Sequence, residues 1–282
     1  MLDKLVEIPV ADWPALRDLY KEDWPRNHVG YYTLDNFIRW VNLDPNIKHL
    51  KVLSLNGDWS DGTFVIIDRY QLFLNSLNPS NEKLRTALNL LDWTNGYKVS
   101  SFLQRHRPAV LDVVESKKLE KEYDSLTVLY YLPRADAKKF DISCPDDLTL
   151  RPMVEEDAKT ADDVWPNKHE GSWFFLKRLI NWNPNIGVYT KQGELVAWSF
   201  RLQAGFLGAL QVKDSYKRRG LGSLVVKVMA KKLAAMGHDT TALVGEANLP
   251  SRKLFESLGF KLLDTAYWLR TFPLNDFHWV DE

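Results

Sequence analysis

Cysteine is nearly missing from this chain: its 282 residues contain one, Cys144. A single thiol excludes an internal disulfide framework and any cysteine-cluster zinc site, and it fits a reducing compartment. An excess of charge is missing as well. Lys plus Arg number 37 and Asp plus Glu number 37, so the formal net charge is zero. A neutral chain is a poor candidate for a dedicated nucleic-acid binder. No run of about 18 apolar residues occurs, so no transmembrane helix is expected. The first ten residues lack a basic stretch followed by an apolar one, and they are not Arg-rich and acid-poor. Neither a secretory signal nor a mitochondrial presequence is therefore expected, and the cytoplasm is the expected compartment. His and Cys do not cluster, so no metal is expected.

What is present suits a folded enzyme-sized chain. Hydrophobic residues make up 45% and charged residues 26%, a composition that can build a core. The length suggests one large or two ordinary domains at roughly 150 residues each. Eleven tryptophans are many, and they suit a wet-rimmed core or a surface lined by rings.

The chain repeats itself. Trp24-Pro25-Arg26-Asn27-His28-Val29-Gly30 parallels Trp165-Pro166-Asn167-Lys168-His169-Glu170-Gly171. Asp44-Pro45-Asn46-Ile47 parallels Asn183-Pro184-Asn185-Ile186, and Val6-Glu7-Ile8-Pro9 sits like Thr149-Leu150-Arg151-Pro152. Three matches in order at one spacing of about 140 residues indicate a duplicated unit. The polar, proline-ended stretch Arg134–Pro145 reads as the connector. The expected domains are 1–138 and 139–282. Cys144 falls in the connector with no base or orienting partner in view, which argues against a nucleophile.

In the second half, strands are expected at Leu148–Arg151, Ile186–Thr190, Glu194–Leu202, Phe206–Val212, Thr240–Val244 and Phe260–Arg270. Helices are expected at Val154–Val164, Ser172–Ile180, Leu221–Met236 and Pro250–Leu258, the last stopped by Gly259. In Leu221–Met236, apolar residues follow the helical period while Lys227, Lys231 and Lys232 take the other face.

The most informative segment joins the strand Leu210-Gln211-Val212 to a helix through Lys213-Asp214-Ser215-Tyr216-Lys217-Arg218-Arg219-Gly220-Leu221-Gly222-Ser223. The first N–H groups of a helix lack internal partners and carry the positive end of its dipole. Glycines let a phosphate approach them, and Lys217, Arg218 and Arg219 add local charge. A solvated basic turn is the other reading of the same residues. The segment is neither a dinucleotide fingerprint, which would need glycine at Val225, nor a P-loop, which would need Lys after Gly222.

A basic residue, two variable residues and Gly-x-Gly between strand and helix resemble the acyl-CoA-binding loop of the GNAT acyltransferases. Asn248-Leu249-Pro250-Ser251-Arg252-Lys253-Leu254-Phe255-Glu256-Ser257-Leu258-Gly259-Phe260 resembles that family's second motif. Within the superfamily the chain is similar to the glycine N-acyltransferase-like group, through Trp165 and Gly193-Glu194-Leu195-Val196-Ala197-Trp198. The resemblance implies an α/β (α+β) fold of two tandem GNAT-like domains, each a mixed sheet flanked by helices. The N-terminal one is degenerate, since Leu77-Asn78-Pro79-Ser80-Asn81-Glu82-Lys83-Leu84 has no glycine pair.

The resemblance further implies a sheet that splays between its fourth and fifth strands to take the acyl-CoA arm. Pantetheine would pair near Leu210, Gln211 and Val212. The pyrophosphate would lie on the loop and the N–H groups running from Lys217, Arg218 and Arg219 through Gly220, Leu221, Gly222 and Ser223. Asn248 and Ser251 would flank the thiol, and Arg252 could reach a phosphate. The expected reaction is acyl transfer from acyl-CoA to the amine of a small acceptor such as glycine or another amino acid, without metal. Two usual proton handlers are replaced: the glycine acyltransferases' Glu by Phe206 and the common Tyr by Phe255. Glu246 is the remaining candidate base, and water held by backbone carbonyls is the route without one. His28 and His169 share a repeat position and read as structural. An acyl-CoA-binding pseudoenzyme and a protein N-acetyltransferase are the alternatives. The acidic tail residues Asp276, Asp281 and Glu282 would favour a cationic substrate.

Overall fold

The computed structural model describes residues 2–277. The chain forms two compact units, one of residues up to Val128 together with the segment from Asp264, the other of Leu129–Leu263. Along the chain run β1 (Leu5–Glu7), α1 (Trp13–Leu19), α2 (His28–Leu43), β2 (Leu50–Leu55), β3 (Phe64–Asp68), β4 (Gln71–Asn75), α3 (Glu82–Asn89), β5 (Lys98–Leu103), α4 (Arg107–Ser116) and β6 (Lys121–Leu132). Then follow α5 (Arg134–Ala137), β7 (Leu148–Arg151), α6 (Asp157–Asp163), α7 (Ser172–Trp182), β8 (Asn185–Thr190), β9 (Leu195–Arg201), β10 (Phe206–Val212), α8 (Leu221–Ala235), β11 (Thr240–Gly245), α9 (Leu249–Ser257) and β12 (Lys261–Thr271). The last strand of each sequence half is divided: Leu129–Leu132 of β6 counts with the second unit, Asp264–Thr271 of β12 with the first.

Both units have one topology. In the first, β1 to β4 form an antiparallel meander and β4 pairs β5 in parallel. In the second, β7 to β10 form the meander and β10 pairs β11 in parallel. The architecture is the expected mixed sheet flanked by helices, in tandem.

Local chemistry accounts for the element ends. The expected helix Val154–Val164 begins only at Asp157, because Asp157 Oδ2 accepts the Val154 N–H (2.9 Å) and holds the preceding residues in a turn. In α8 the apolar stripe is buried as the period requires. Its lysines are less solvated than that pattern implies: Lys231 donates to the Phe140 carbonyl (2.7 Å) and Lys232 to the Asn185 carbonyl (3.1 Å). The repeated Pro-Asn is used differently in the two units. Asn185 opens β8, donates to the Ile180 carbonyl (2.9 Å) and accepts from Met153 N–H (2.8 Å). Asn46 sits in a turn where Asp44 accepts its N–H (3.0 Å), ahead of β2.

The first unit closes the end of its parallel pair with polar groups. Here β4 and β5 pair at Gln71 with Lys98 and Leu72 with Val99. Beyond that, His106 Nδ1 lies 2.7 Å from Asn81 Oδ1, and Nε2 lies 3.2 Å from Arg105 Nε and 3.0 Å from Asn75 Oδ1. Asn81 Nδ2 donates to the Arg105 carbonyl (2.8 Å). Arg105 Nη2 also donates to Asn75 Oδ1 (3.1 Å). Burial, with the neighbouring Arg105 charge, pushes the His106 pKa from 6.5 to about 3. The unfolded chain therefore binds a proton that the folded one refuses, and folding stability should fall as pH drops from 6.5 toward 3. Urea unfolding across that range should show a weaker acid dependence in His106→Asn than in the parent.

Candidate acyl-CoA site

In the second unit the corresponding strands part and stay open. β10 and β11 pair only at Phe206 with Thr241 and Leu207 with Ala242. Both then continue, β10 to Val212 and β11 to Gly245. A bulge makes the parting possible. Gly208 faces Phe200 and Gln211 faces Trp198, so β10 carries one extra residue there. Ala209 takes a left-handed φ of 48° within it. Ser199 Oγ donates to the Gly208 carbonyl (3.0 Å) and braces the bulge from β9. As a result, Leu210, Gln211 and Val212 are half-buried, whereas all of β9 is buried.

At the far end of β10 the chain turns through Asp214–Tyr216 into α8. Gly220 is the N-cap of α8, with φ 76°, and no side chain caps the helix. A Cβ at Gly220 would meet nothing within 4 Å, so the space before the helix is open. A Cβ at Gly222 would touch Leu254 Cδ2 at 3.5 Å and Val212 Cγ2 at 3.9 Å. Gly222 thus lies between the end of β10 and α9, and Leu254 marks the side of α9 that faces the helix start. The sequence reading missed Leu254, although its place three residues after Ser251 on a helix was legible.

The basic residues of the loop are not equivalent. Lys217 pairs with Asp214 (2.6 Å). Arg219 Nη2 is held by both carboxylate oxygens of Asp147 (2.7 and 2.9 Å), and the guanidinium holds Asp147 below its usual range. Arg218 is exposed, has a left-handed φ of 62°, and makes no ion pair among the described residues. Asp147 was not anticipated, since it precedes the loop by 72 residues.

On the other side, Asn248 is exposed and caps α9, its Oδ1 accepting the Ser251 N–H (3.2 Å). Arg252 points elsewhere: Nε donates to the Tyr130 hydroxyl (3.3 Å) and Nη1 to the Glu246 carbonyl (3.2 Å). Tyr130 donates in turn to Glu256 (2.5 Å), and burial with that contact raises its pKa. Arg252 and Glu256 lie about 160° around α9 from Leu254, and Tyr130 is fully buried. Glu246 follows β11 and is exposed.

Phe206 and Phe255 are buried, and Phe255 stacks on Tyr130 (6.1 Å between centroids) and meets Phe260 edge-on (5.0 Å). The two repeat histidines hold loop carbonyls. His28 Nδ1 lies 2.6 Å from the Pro25 oxygen and His169 Nδ1 2.8 Å from that of Asn167. Burial raises the Cys144 pKa, opposite to what a nucleophile needs. Among the described residues no group of three or more His, Cys, Asp and Glu converges, and no helix is long and apolar enough to cross a membrane. Asp281 and Glu282 of the acidic tail lie outside the described residues.

Residues 185–269 match the family model described as FR47-like protein. A Drosophila protein of known structure is 25% identical, covers 97% of this chain and 100% of its own, and superposes with a TM-score of 0.87. The tandem GNAT protein from the clavulanic acid biosynthesis pathway covers 96% of this chain and 98% of its own at 14% identity and a TM-score of 0.57. The fold is that of a tandem GNAT protein. A GCN5-related N-acetyltransferase from Sphaerobacter thermophilus has the same fold at 13% identity, covering 97% and 96%, with a TM-score of 0.54. Among curated proteins no sequence matches this chain.

The two loop glycines should respond oppositely to alanine. At Gly220 a Cβ must adopt a left-handed backbone, costing about 1–2 kcal/mol. At Gly222, inside the first turn, alanine gains helix propensity of roughly 0.5–1 kcal/mol with only ordinary contacts to make. Melting temperatures should fall for Gly220→Ala and hold or rise for Gly222→Ala.

Proposed function

We propose that the chain transfers an acyl group from acyl-CoA to the amine of a small acceptor, such as glycine or another amino acid. The domains are taken as 1–138, degenerate, and 139–282, catalytic. The observation that carries the reading is the uncapped start of α8 at Gly220, open in front and set beside two strands that have parted. This donor set fits a pyrophosphate: free N–H groups from Gly220 to Ser223, a glycine that leaves room, and the Arg218 guanidinium beside them. Lys217 and Arg219 would join by exchanging Asp214 and Asp147 for phosphate oxygens. Leu210, Gln211 and Val212 offer a strand edge to pantetheine, with Asn248 and Ser251 across from it. The tandem GNAT neighbour, named for its structure without AcCoA, supports the choice of cosubstrate.

A thioester supplies an activated carbonyl and a stable thiolate leaving group. The acceptor nitrogen forms its bond to that carbon as the C–S bond breaks, and the ammonium proton must leave to a base. Phe206 and Phe255 cannot take it. Glu246, exposed directly after β11 at the end away from its pairing with β10, is the candidate carboxylate, and water on backbone carbonyls is the alternative. A general base contributes about 10²- to 10⁴-fold. Glu246→Gln should lose that factor in thiol release, with the loss shrinking as pH approaches the amine's own pKa. An unchanged pH–rate profile would assign the proton to water.

The two buried phenylalanines favour a second reading, an acyl-CoA-binding pseudoenzyme. Thiol release with a panel of amino acids, simple amines and basic peptides separates the readings. Turnover with amino acids supports the first, turnover with peptides alone a protein acetyltransferase, and coenzyme A binding without turnover the pseudoenzyme. Gly220→Glu should abolish coenzyme A binding in a calorimetric titration while the protein still melts cooperatively, because a side chain and a like charge would occupy the phosphate position.

A further inference from the structure

Just before β10 and β11 part, the second unit buries two hydroxyls that nothing answers. Thr240 and Thr241 open β11 and are both fully buried. Neither Oγ1 has a hydrogen-bond partner. Leaving a buried hydroxyl unpaired is costly. Valine has nearly the same shape and suits a strand as well without that cost. A threonine kept at such a place calls for a reason.

The two hydroxyls lie on opposite faces of the sheet, and register fixes which is which. A Cβ at Gly222 of α8 would touch Val212, so Val212 is on the α8 side. Val212 faces Ala197 on β9, and Leu207 faces Arg201. β9 runs without interruption over Ala197–Phe200 against β8, so Ala197 and Arg201 share a face. Leu207 is therefore on the α8 side, and its neighbour Phe206 is on the other. Thr241 pairs with Phe206 and lies away from α8, while Thr240 alternates onto the α8 side with Ala242.

The surroundings of Thr241 on its face are apolar. Phe206 is beside it in register, and Gly208 follows on the same face opposite Phe200. A Cβ at Gly208 would run into the Leu202 side chain, so Leu202 covers that glycine.

Thr241 is also at a definite depth. The strands pair at Phe206 with Thr241 and at Leu207 with Ala242, and then part. From Val212 back to Leu207 is roughly 16 Å of strand at about 3.3 Å per residue. An extended coenzyme A arm, from the nearer phosphorus to the sulfur, spans about 15 Å at roughly 3.5 Å for every three bonds. With the pyrophosphate on the start of α8, beside Val212, the arm ends where the strands close. The group on the sulfur then meets the root of the opening, where Thr241 holds its hydroxyl.

We propose that Thr241 Oγ1 donates a hydrogen bond to the carbonyl oxygen of the acyl group carried by coenzyme A. The inference rests on the acyl-CoA reading above and adds to it the residue that tells acylated from free coenzyme A. A hydroxyl at this oxygen serves the thioester and continues to serve as negative charge builds there during transfer. Thr240, on the α8 side, has no such contact and is the internal control.

The test is calorimetric titration of the full-length chain with acetyl-CoA and with free coenzyme A, which lacks the acyl oxygen. In Thr241→Val, acetyl-CoA affinity should fall about three- to tenfold, the worth of one hydrogen bond, while coenzyme A affinity stays within about twofold. Thr241→Ser keeps the hydroxyl and should keep the parent's acetyl-CoA affinity. Thr240→Val should leave both affinities as in the parent. Both valine variants should melt no lower than the parent, because each removes an unpaired hydroxyl from the interior. If Thr241→Val does not melt cooperatively, Thr241→Ala against Thr241→Ser makes the same comparison. Unchanged acetyl-CoA affinity in the variant without the hydroxyl would overturn the proposal. So would an equal loss for both ligands, a loss of the same size in Thr240→Val, or a lower melting temperature in Thr241→Val, the mark of a hydroxyl already bonded within the protein. A parent that binds no coenzyme A would sink the acyl-CoA reading and this inference with it. Coenzyme A binding with no effect at Thr241 would sink this inference alone.

Discussion

Two parallel strands that pair for two residues and then part form the constraint on which the second unit depends. A parallel ladder normally continues, because each broken rung leaves backbone groups to be satisfied elsewhere. The bulge at Gly208–Gln211 relieves this locally by adding a residue, turning Ala209 left-handed and breaking the alignment with β9. Ser199 secures the altered carbonyl from the neighbouring strand. Once β10 has been diverted, its end leads directly to the start of α8. There Gly220, at a left-handed φ, leaves the helix uncapped, and Gly222 sits between Leu254 of α9 and Val212 of β10. The opening is therefore a product of strand geometry, and the loop glycines serve an aperture that already exists.

The two units show opposite fates for one architecture. Both part their parallel strands after two pairs. In the first unit Asn75, Asn81, Arg105 and His106 fill the gap with mutual hydrogen bonds, and Asn81 supplies the left-handed N-cap that Gly220 supplies in the second. A buried, satisfied polar network of this kind is rigid, and it leaves no room for a ligand arm. At the junction of the strands the contrast reverses. The first unit has Gln71 and Lys98 there, and the second has Phe206 and Thr241. The polar character of the fold is thus kept at one end in one unit and at the other end in its partner.

Charge around the loop is arranged as pairs that phosphate oxygens could replace. Asp214 and Asp147 hold Lys217 and Arg219 in ordered positions on a protein with no net charge. Exposed pairs of this kind contribute little to stability, so exchanging a carboxylate for a phosphate costs the fold little. Arg218, on a left-handed backbone between them, is the cation that needs no exchange.

The tandem repeat, the order of strands and helices in the second half and the basic glycine loop were all legible in the amino-acid sequence. Each is a local pattern: period two or 3.6, a turn residue, or a motif repeated at one spacing. The reading of His28, His169 and Cys144 as structural also came from local context, and the carbonyl contacts of the histidines and the half-buried thiol agree with it. What required the folded chain was every relation between distant residues. No local pattern places Asp147 on Arg219, Leu254 against Gly222, or Arg252 on Tyr130 and the Glu246 carbonyl. The same holds for Lys98 and Arg270. Each reads alone as an ordinary strand cation, and only the pairing register brings them side by side on a buried face. Periodicity sets which way a side chain points along its own strand, whereas register across strands is decided by turns, bulges and the packing of the whole sheet.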